Sequence, residues 1–338
     1  MTVRTTRFRQ SVIRTVLGLA ALSGLAMQPV ESAFAKVVEV SMTAVETKLV
    51  IDGEGHTYDA WTFNGQFPGP VIRVQEGDEV VFSLTNPETN GRPHSMDFHA
   101  AETNFLEHYK EVRPGESLQY RFKAKWPGVF AYHCGASPMI QHIARGMMGA
   151  IIVDPKDPKA MPKADREYVL VQSELFKEPD DVDGMFDRKY QHVVFNGAVF
   201  RYDPVHSKAG GDFLDAKPGE RVRFYFVNAG PNNVSAVHPI AEIWDDVWES
   251  GNPANHTRGV QTQLIPPAGA AILDMVLEPN AFHKLSGRYR KSAIKFADLA
   301  LVGQLPTLKI VLGGSEGTGP FPQGKKVEFV KTPLPPPY

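Results

Sequence analysis

Cys134 is the only cysteine of the 338-residue chain, and its neighbours suit metal chemistry. His133 precedes it, His142 and Met147 follow eight and thirteen residues later, and His94 stands upstream in a Pro-His step. Two imidazoles, a thiolate and a thioether form the donor set of a blue, type 1 copper site. Soft sulfur stabilises Cu(I), imidazole accepts either oxidation state, and a weak axial thioether lets the ion cycle with little rearrangement. Such a set carries electrons. The alternative reading makes Cys134 a small buried hydrophobe and Met147 the filler of a core gap.

Strand geometry adds a second site. Successive side chains point to opposite faces of a strand, so His133 and Cys134 diverge. If the segment from His94 to His99 is extended, Asp97 and His99 share one face and His94 takes the other. One face then collects His94 and Cys134, and the other collects Asp97, His99 and His133. Paired imidazoles beside a carboxylate are a metal or proton-transfer group. The single peptide between Cys134 and His133 would join the two sites. As the alternative, His99 and His133 are only hydrogen-bonded polar residues.

The segments Pro93-His-Ser-Met-Asp-Phe-His-Ala-Ala101, Gly128-Val-Phe-Ala-Tyr-His-Cys-Gly135 and His142-Ile-Ala-Arg-Gly-Met-Met-Gly-Ala-Ile-Ile-Val-Asp154 resemble the first domain of copper-containing nitrite reductases. The resemblance implies type 1 ligands at His94, Cys134, His142 and Met147. It implies type 2 ligands at His99 and His133, and at Asp97 the acid that passes a proton to nitrite. Val237-His-Pro-Ile240 falls where the family has its second catalytic histidine and a pocket-shaping isoleucine, which gives those roles to His238 and Ile240. The implied reaction is the one-electron reduction of nitrite to nitric oxide, with a small redox protein as donor. The implied assembly is a homotrimer whose type 2 site lies between neighbouring subunits.

The chain departs from the family at one ligand. The family's third type 2 histidine follows a Gly-x-Tyr turn by five residues, and here Gly287-Arg-Tyr289 leads to Ile294. His283 is the last histidine. A catalytic metal usually keeps three protein ligands and one open position, so three outcomes follow. His283 replaces the missing ligand, or copper is held weakly, or the site is lost and the protein is a type 1 electron carrier. A two-domain laccase fits less well, because its trinuclear cluster needs His-x-His pairs and this sequence has none.

The elements that must position these residues are short strands rich in Val, Ile, Phe and Tyr, punctuated by Pro and Gly. Phe63-Asn-Gly65 recurs as Phe195-Asn-Gly197, and in both copies a glycine, Gly77 or Gly219, precedes an asparagine, Asn86 or Asn228, by nine residues. An internal repeat of roughly 140 residues means two copies of one unit. The expected class is all-β, with two cupredoxin-like Greek-key β-sandwich domains at 36–154 and 167–312. A Pro- and Lys-rich linker at 155–166 would join them, and a Gly- and Pro-rich tail would follow at 313–338. Only the first copy has the cysteine.

Arg4, Arg7, Arg9 and Arg14, an apolar run from Val16 to Met27, and Ala33-Phe-Ala35 read as a secretory signal at 1–35. The run is too short to span a bilayer, so the expected location is periplasmic or secreted, with no membrane span after cleavage. Removing four Arg and Glu31 from 36 basic and 38 acidic residues leaves 32 and 37, a charge of −5. That balance argues against nucleic acid as a partner. His56, His108, His192, His206 and His256 sit in polar or turn-rich sequence and read as solvated or hydrogen-bonded residues.

Overall fold

The computed structural model describes residues 35–202, 214–217, 219–239, 242–277 and 292–294. The expected signal up to residue 34, the tail, His206, Ile240 and His283 lie outside them, as does the side chain of Ile294. The chain is all-β, as its sequence implies, with three short helices among the described residues.

Two four-stranded sheets build the first half. One has the order β2 (Thr57–Phe63), β1 (Val37–Val50), β4 (Glu79–Thr85), β6 (Ser117–Lys123). The other has the order β3 (Ile72–Gln75), β8 (Met148–Asp154), β7 (Gly128–His133), β5 (Asp97–Phe98). Alternate residues of both, including Val80, Phe82 and Leu84 from one and Tyr132, Ile151 and Val153 from the other, share one buried core. Each fully buried large apolar side chain contributes about 1.5–3 kcal/mol. The intervening residues of the second sheet, Val129, Ala131, Met148, Ala150 and Ile152, are buried too. They pack on Val171, Tyr225, Val227, Trp248 and Ile272 of the second half. Burial on both faces is why β8 reads as a nearly continuous apolar run instead of an alternating one.

In the second half a six-stranded sheet runs β10 (Tyr190–Phe195), β9 (Arg166–Phe176), β12 (Arg221–Asn228), β17 (Ala270–Val276), β14 (Trp244–Glu249), β15 (His256–Val260). Two short pairs accompany it, β11 (Leu214–Ala216) with β18 (Ser292–Ile294) and β13 (Ser235–Val237) with β16 (Gln263–Ile265). Helices α1 (Phe105–His108), α2 (Met139–Ala144) and α3 (Val182–Phe186) lie in the loops.

The sequence repeat is a structural repeat. Asn64 and Asn196 both adopt left-handed backbone (φ 55° and 48°) before a glycine of positive φ, the Asn-Gly turn that closes a twisted hairpin. Each asparagine accepts from the strand that opens its half, Thr43 N to Asn64 Oδ1 at 2.7 Å and Val171 N to Asn196 Oδ1 at 2.8 Å. Asn86 Nδ2 donates to the carbonyls of Arg92 and Val112, and Asn228 Nδ2 to those of Asn233 and Ile265. The repeated asparagines therefore tie equivalent loops to equivalent strands.

The second sheet also carries a charge ladder. Asp274 faces Asp246 across the β14–β17 pair and Arg223 across the β12–β17 pair. Asp274 is fully buried and takes Arg223 in a two-pronged pair, Nε to Oδ1 and Nη2 to Oδ2 at 2.8 Å each. Burial raises the Asp274 pKa above the usual carboxylate value, against the pull of Arg223 and Arg221. Asp274→Asn strands the Arg223 charge in the interior, so the expected loss is about 3–5 kcal/mol. A urea denaturation midpoint measures it.

Candidate metal centre

Strand β7 delivers two donors in opposite directions, as strand parity requires. Cys134 follows the last residue of β7 and extends the ladder by one bond, Cys134 N to Met147 O at 2.9 Å. Its side chain turns with Tyr132 into the first core, while His133 turns with Val129 and Ala131 toward the second half. On β5, Asp97 stands directly opposite His133, and His99 N donates to Ala131 O at 3.1 Å. Only Asp97 and Phe98 of the expected extended segment are strand; His94 makes an isolated bridge to Val112.

Two donor groups result, as the sequence implies. In the first, the donor atoms of His94, Cys134 and His142 lie within 4.8 Å of one another. His142 Nδ1 is 3.3 Å from Cys134 Sγ and 3.3 Å from His94 Nδ1. All three residues are buried, as is Met147, which shares a core with Cys134. His142 rides on α2, whose Ile140 and Ala144 pack on Phe176 and Met185 of the second half. Gly146, at φ 115°, reverses the chain so that Met147 N returns to His142 O at 3.1 Å. A side chain at Gly146 would press on the Phe67 ring and Trp61 O.

The second group is Asp97, His99 and His133. The two Nε2 atoms are 3.0 Å apart, and Asp97 Oδ2 is 3.9 Å from His133 Nε2. His133 Nδ1 faces Cys134 O at 3.1 Å, which turns Nε2 toward His99. His99 opens onto a cleft of ≈ 350 Å³ lined by Phe130, Glu249, Gln263, Leu264 and Ala268.

The donor chemistry fits copper. Burial drives His142 down to about 3, helped by His94 and two nearby arginines, and lowers His94. Burial and the neighbouring His133 lower His99 as well, although part of His99 meets solvent. These rings are thus neutral at pH 7, the form that binds metal. Burial pushes the Cys134 thiol up to about 11. A coordinated metal overrides that cost by its own charge and deprotonates the thiol outright.

His238 joins neither group within one chain. It follows β13 and its Nδ1 sits 2.7 Å from Gln261 O. Of the histidines assigned no role, His56 is hydrogen-bonded to Asp52, His256 is hydrogen-bonded to Asp246 and stacked on Trp248, and His108 is stacked on Tyr120. Two neighbours of the first group escaped sequence reasoning, Trp61 and Glu46. The Trp61 ring centre lies 4.7 Å from that of His142 and 5.9 Å from that of His94, and Glu46 Oε1 lies 3.3 Å from His94 Nε2. Both come from the first hairpin, far from the ligand loops in sequence, and nothing in their local motifs marks them.

Residues 44–158 match the multicopper oxidase family. The chain is 37% identical over 279 residues to the copper-containing nitrite reductase of Neisseria gonorrhoeae, covering 76% of this chain and 67% of that protein. It is also 37% identical over 279 residues to that of Pseudomonas chlororaphis, covering 74% of each. Among solved structures, a copper nitrite reductase from Nitrosomonas europaea is 56% identical with a TM-score of 0.71, over 72% of this chain and 85% of that one. A copper-containing nitrite reductase from Thermus scotoductus is 30% identical with a TM-score of 0.63, over 72% of this chain and 56% of that one.

Proposed function

Because the chain belongs to the copper-containing nitrite reductase family, we propose that it reduces nitrite to nitric oxide by one electron, in the periplasm, drawing on a small redox protein. In this reading His94, Cys134, His142 and Met147 hold a type 1 copper, and His99 and His133 hold a type 2 copper. Bound copper supplies a one-electron redox centre at the first group and a Lewis acid at the second. Burial of the first group excludes water from its donors. The Cys134–His133 peptide links the two groups covalently, and His133 Nδ1 is held at the Cys134 carbonyl. Asp97 Oδ2 lies at the rim of the second group, where it can pass a proton to a nitrite oxygen. His238 serves as the second proton-handling residue, contributed from a neighbouring subunit of a homotrimer. Carboxylate and imidazole are among the side chains most used to pass protons in catalysis. No helix among the described residues is long and apolar enough to cross a membrane.

The observation that carries this reading is the back-to-back placement of the two donor groups at the end of one strand. A second reading, a type 1 electron carrier with a lost type 2 site, draws on Ile294. Copper content per subunit, electron paramagnetic resonance and nitric oxide formation separate them. Type 1 and type 2 signals with nitrite turnover support the enzyme. One copper, a type 1 signal alone and no nitric oxide support the carrier.

A further inference from the structure

The loop that delivers His94 is gripped by one carboxylate. Glu46 stands on β1 in register with Trp61. Its Oε1 accepts from the amides of Gly91 and Arg92 at 3.0 Å each, and the same oxygen lies 3.3 Å from His94 Nε2. His94 meets His142 through its other nitrogen, Nδ1. The ring thus offers Nδ1 to the donor group and turns Nε2–H to Glu46. A carboxylate placed this way fixes the tautomer and orientation of a ligating imidazole and raises its basicity.

The second half holds a natural comparison. Glu174 lies three residues beyond Val171, as Glu46 lies three beyond Thr43, and those two strand residues make the same bond to a turn asparagine. Glu174 Oε1 accepts from Asn232 N at 3.3 Å and Asn233 N at 2.8 Å, the counterparts of Gly91 and Arg92. Two residues further on, His94 bridged to Val112 is replaced by Ser235 paired with Ile265. Ser235 Oγ donates to Gln172 Oε1 at 2.7 Å and leaves the carboxylate to the loop. A carboxylate holds the loop in both halves, whereas the imidazole contact belongs to the first half alone.

We propose that Glu46 is a positioning residue of the type 1 centre, orienting His94 through Nε2–H and favouring the oxidised metal by its negative charge, which lowers the reduction potential. This rests on the type 1 copper reading above. Glu46→Gln keeps the side-chain shape and an oxygen for the two amides but removes the charge. Loss of an outer-shell partner typically costs 10–100-fold in metal affinity. A tenfold loss confined to Cu(II) raises the one-electron potential by about 59 mV.

The expected result is a Glu46→Gln protein that loads copper, keeps its visible colour and has a potential raised by that order. Glu174→Gln is the control, expected to lower the unfolding midpoint and leave the potential unmoved. A coloured Glu46→Gln protein with the wild-type potential overturns the proposal, as does an equal shift in Glu174→Gln. A separate measurement needs no variant. In the Cu(I) protein the His94 Nε2–H resonance should be protected from solvent exchange, and a freely exchanging one overturns the proposal too. A colourless copper-loaded wild type removes the type 1 reading itself, an outcome distinct from a coloured variant with an unshifted potential.

Discussion

Cys134→Ser abolishes the visible colour of the copper-loaded protein while leaving the fold standing. The colour of a type 1 centre arises from thiolate-to-copper charge transfer, and a hydroxyl is neither soft nor readily ionised. The substitution is close to isosteric in a fully buried position. The new hydroxyl also inherits a partner, because Ser95 N already points at Cys134 Sγ from 3.2 Å. The stability cost therefore stays within the 1–3 kcal/mol typical of an imperfectly paired buried polar group. Absorbance, copper content and a thermal melt check the three parts together. A Cys134→Ser protein that stays coloured, or a colourless copper-loaded wild type, refutes the assignment.

Ile294→His is expected to raise the occupancy of the second copper and the rate of nitrite reduction together. If Ile294 takes the third-ligand place that the resemblance implies, the type 2 metal has only His99 and His133 from one subunit. Loss of an outer-shell contact alone costs 10–100-fold in metal affinity, so restoring a direct ligand should gain at least tenfold. Wild-type protein should then hold fewer than two coppers per subunit, with a full type 1 signal, a substoichiometric type 2 signal and slow turnover. Copper analysis of both proteins, with nitric oxide formation measured alongside, gives the answer. Two coppers per wild-type subunit with fast turnover would show that another residue completes the site. If His283→Ala then removes the second copper, that residue is His283.

Much of the first donor group was legible in the sequence because its members lie close together or on one strand. Cys134 and His142 lie eight residues apart, and His133 and Cys134 diverge through strand parity, which needs no knowledge of the fold. The same parity put Asp97 and His99 on the His133 face, and the structure keeps that arrangement although only two residues of the segment are strand. The two-copy architecture was legible too, because Asn-Gly turns and the Gly-to-Asn spacing are local signals with a conformational cause.

The tertiary structure decided what surrounds and tunes those residues. Trp61 and Glu46 reach the group from the first hairpin, and no local motif records that β1 pairs with β2 so as to set both beside His94. The anchoring of α2 by Phe176 and Met185 brings two distant segments together through burial alone. The pKa shifts belong to the same level, since desolvation exists only once the chain has closed over the ring or thiol. Residue type and spacing determined which atoms can bind a metal. Only the packing of the two halves determined how dry those atoms are, how they are oriented, and which charges face them.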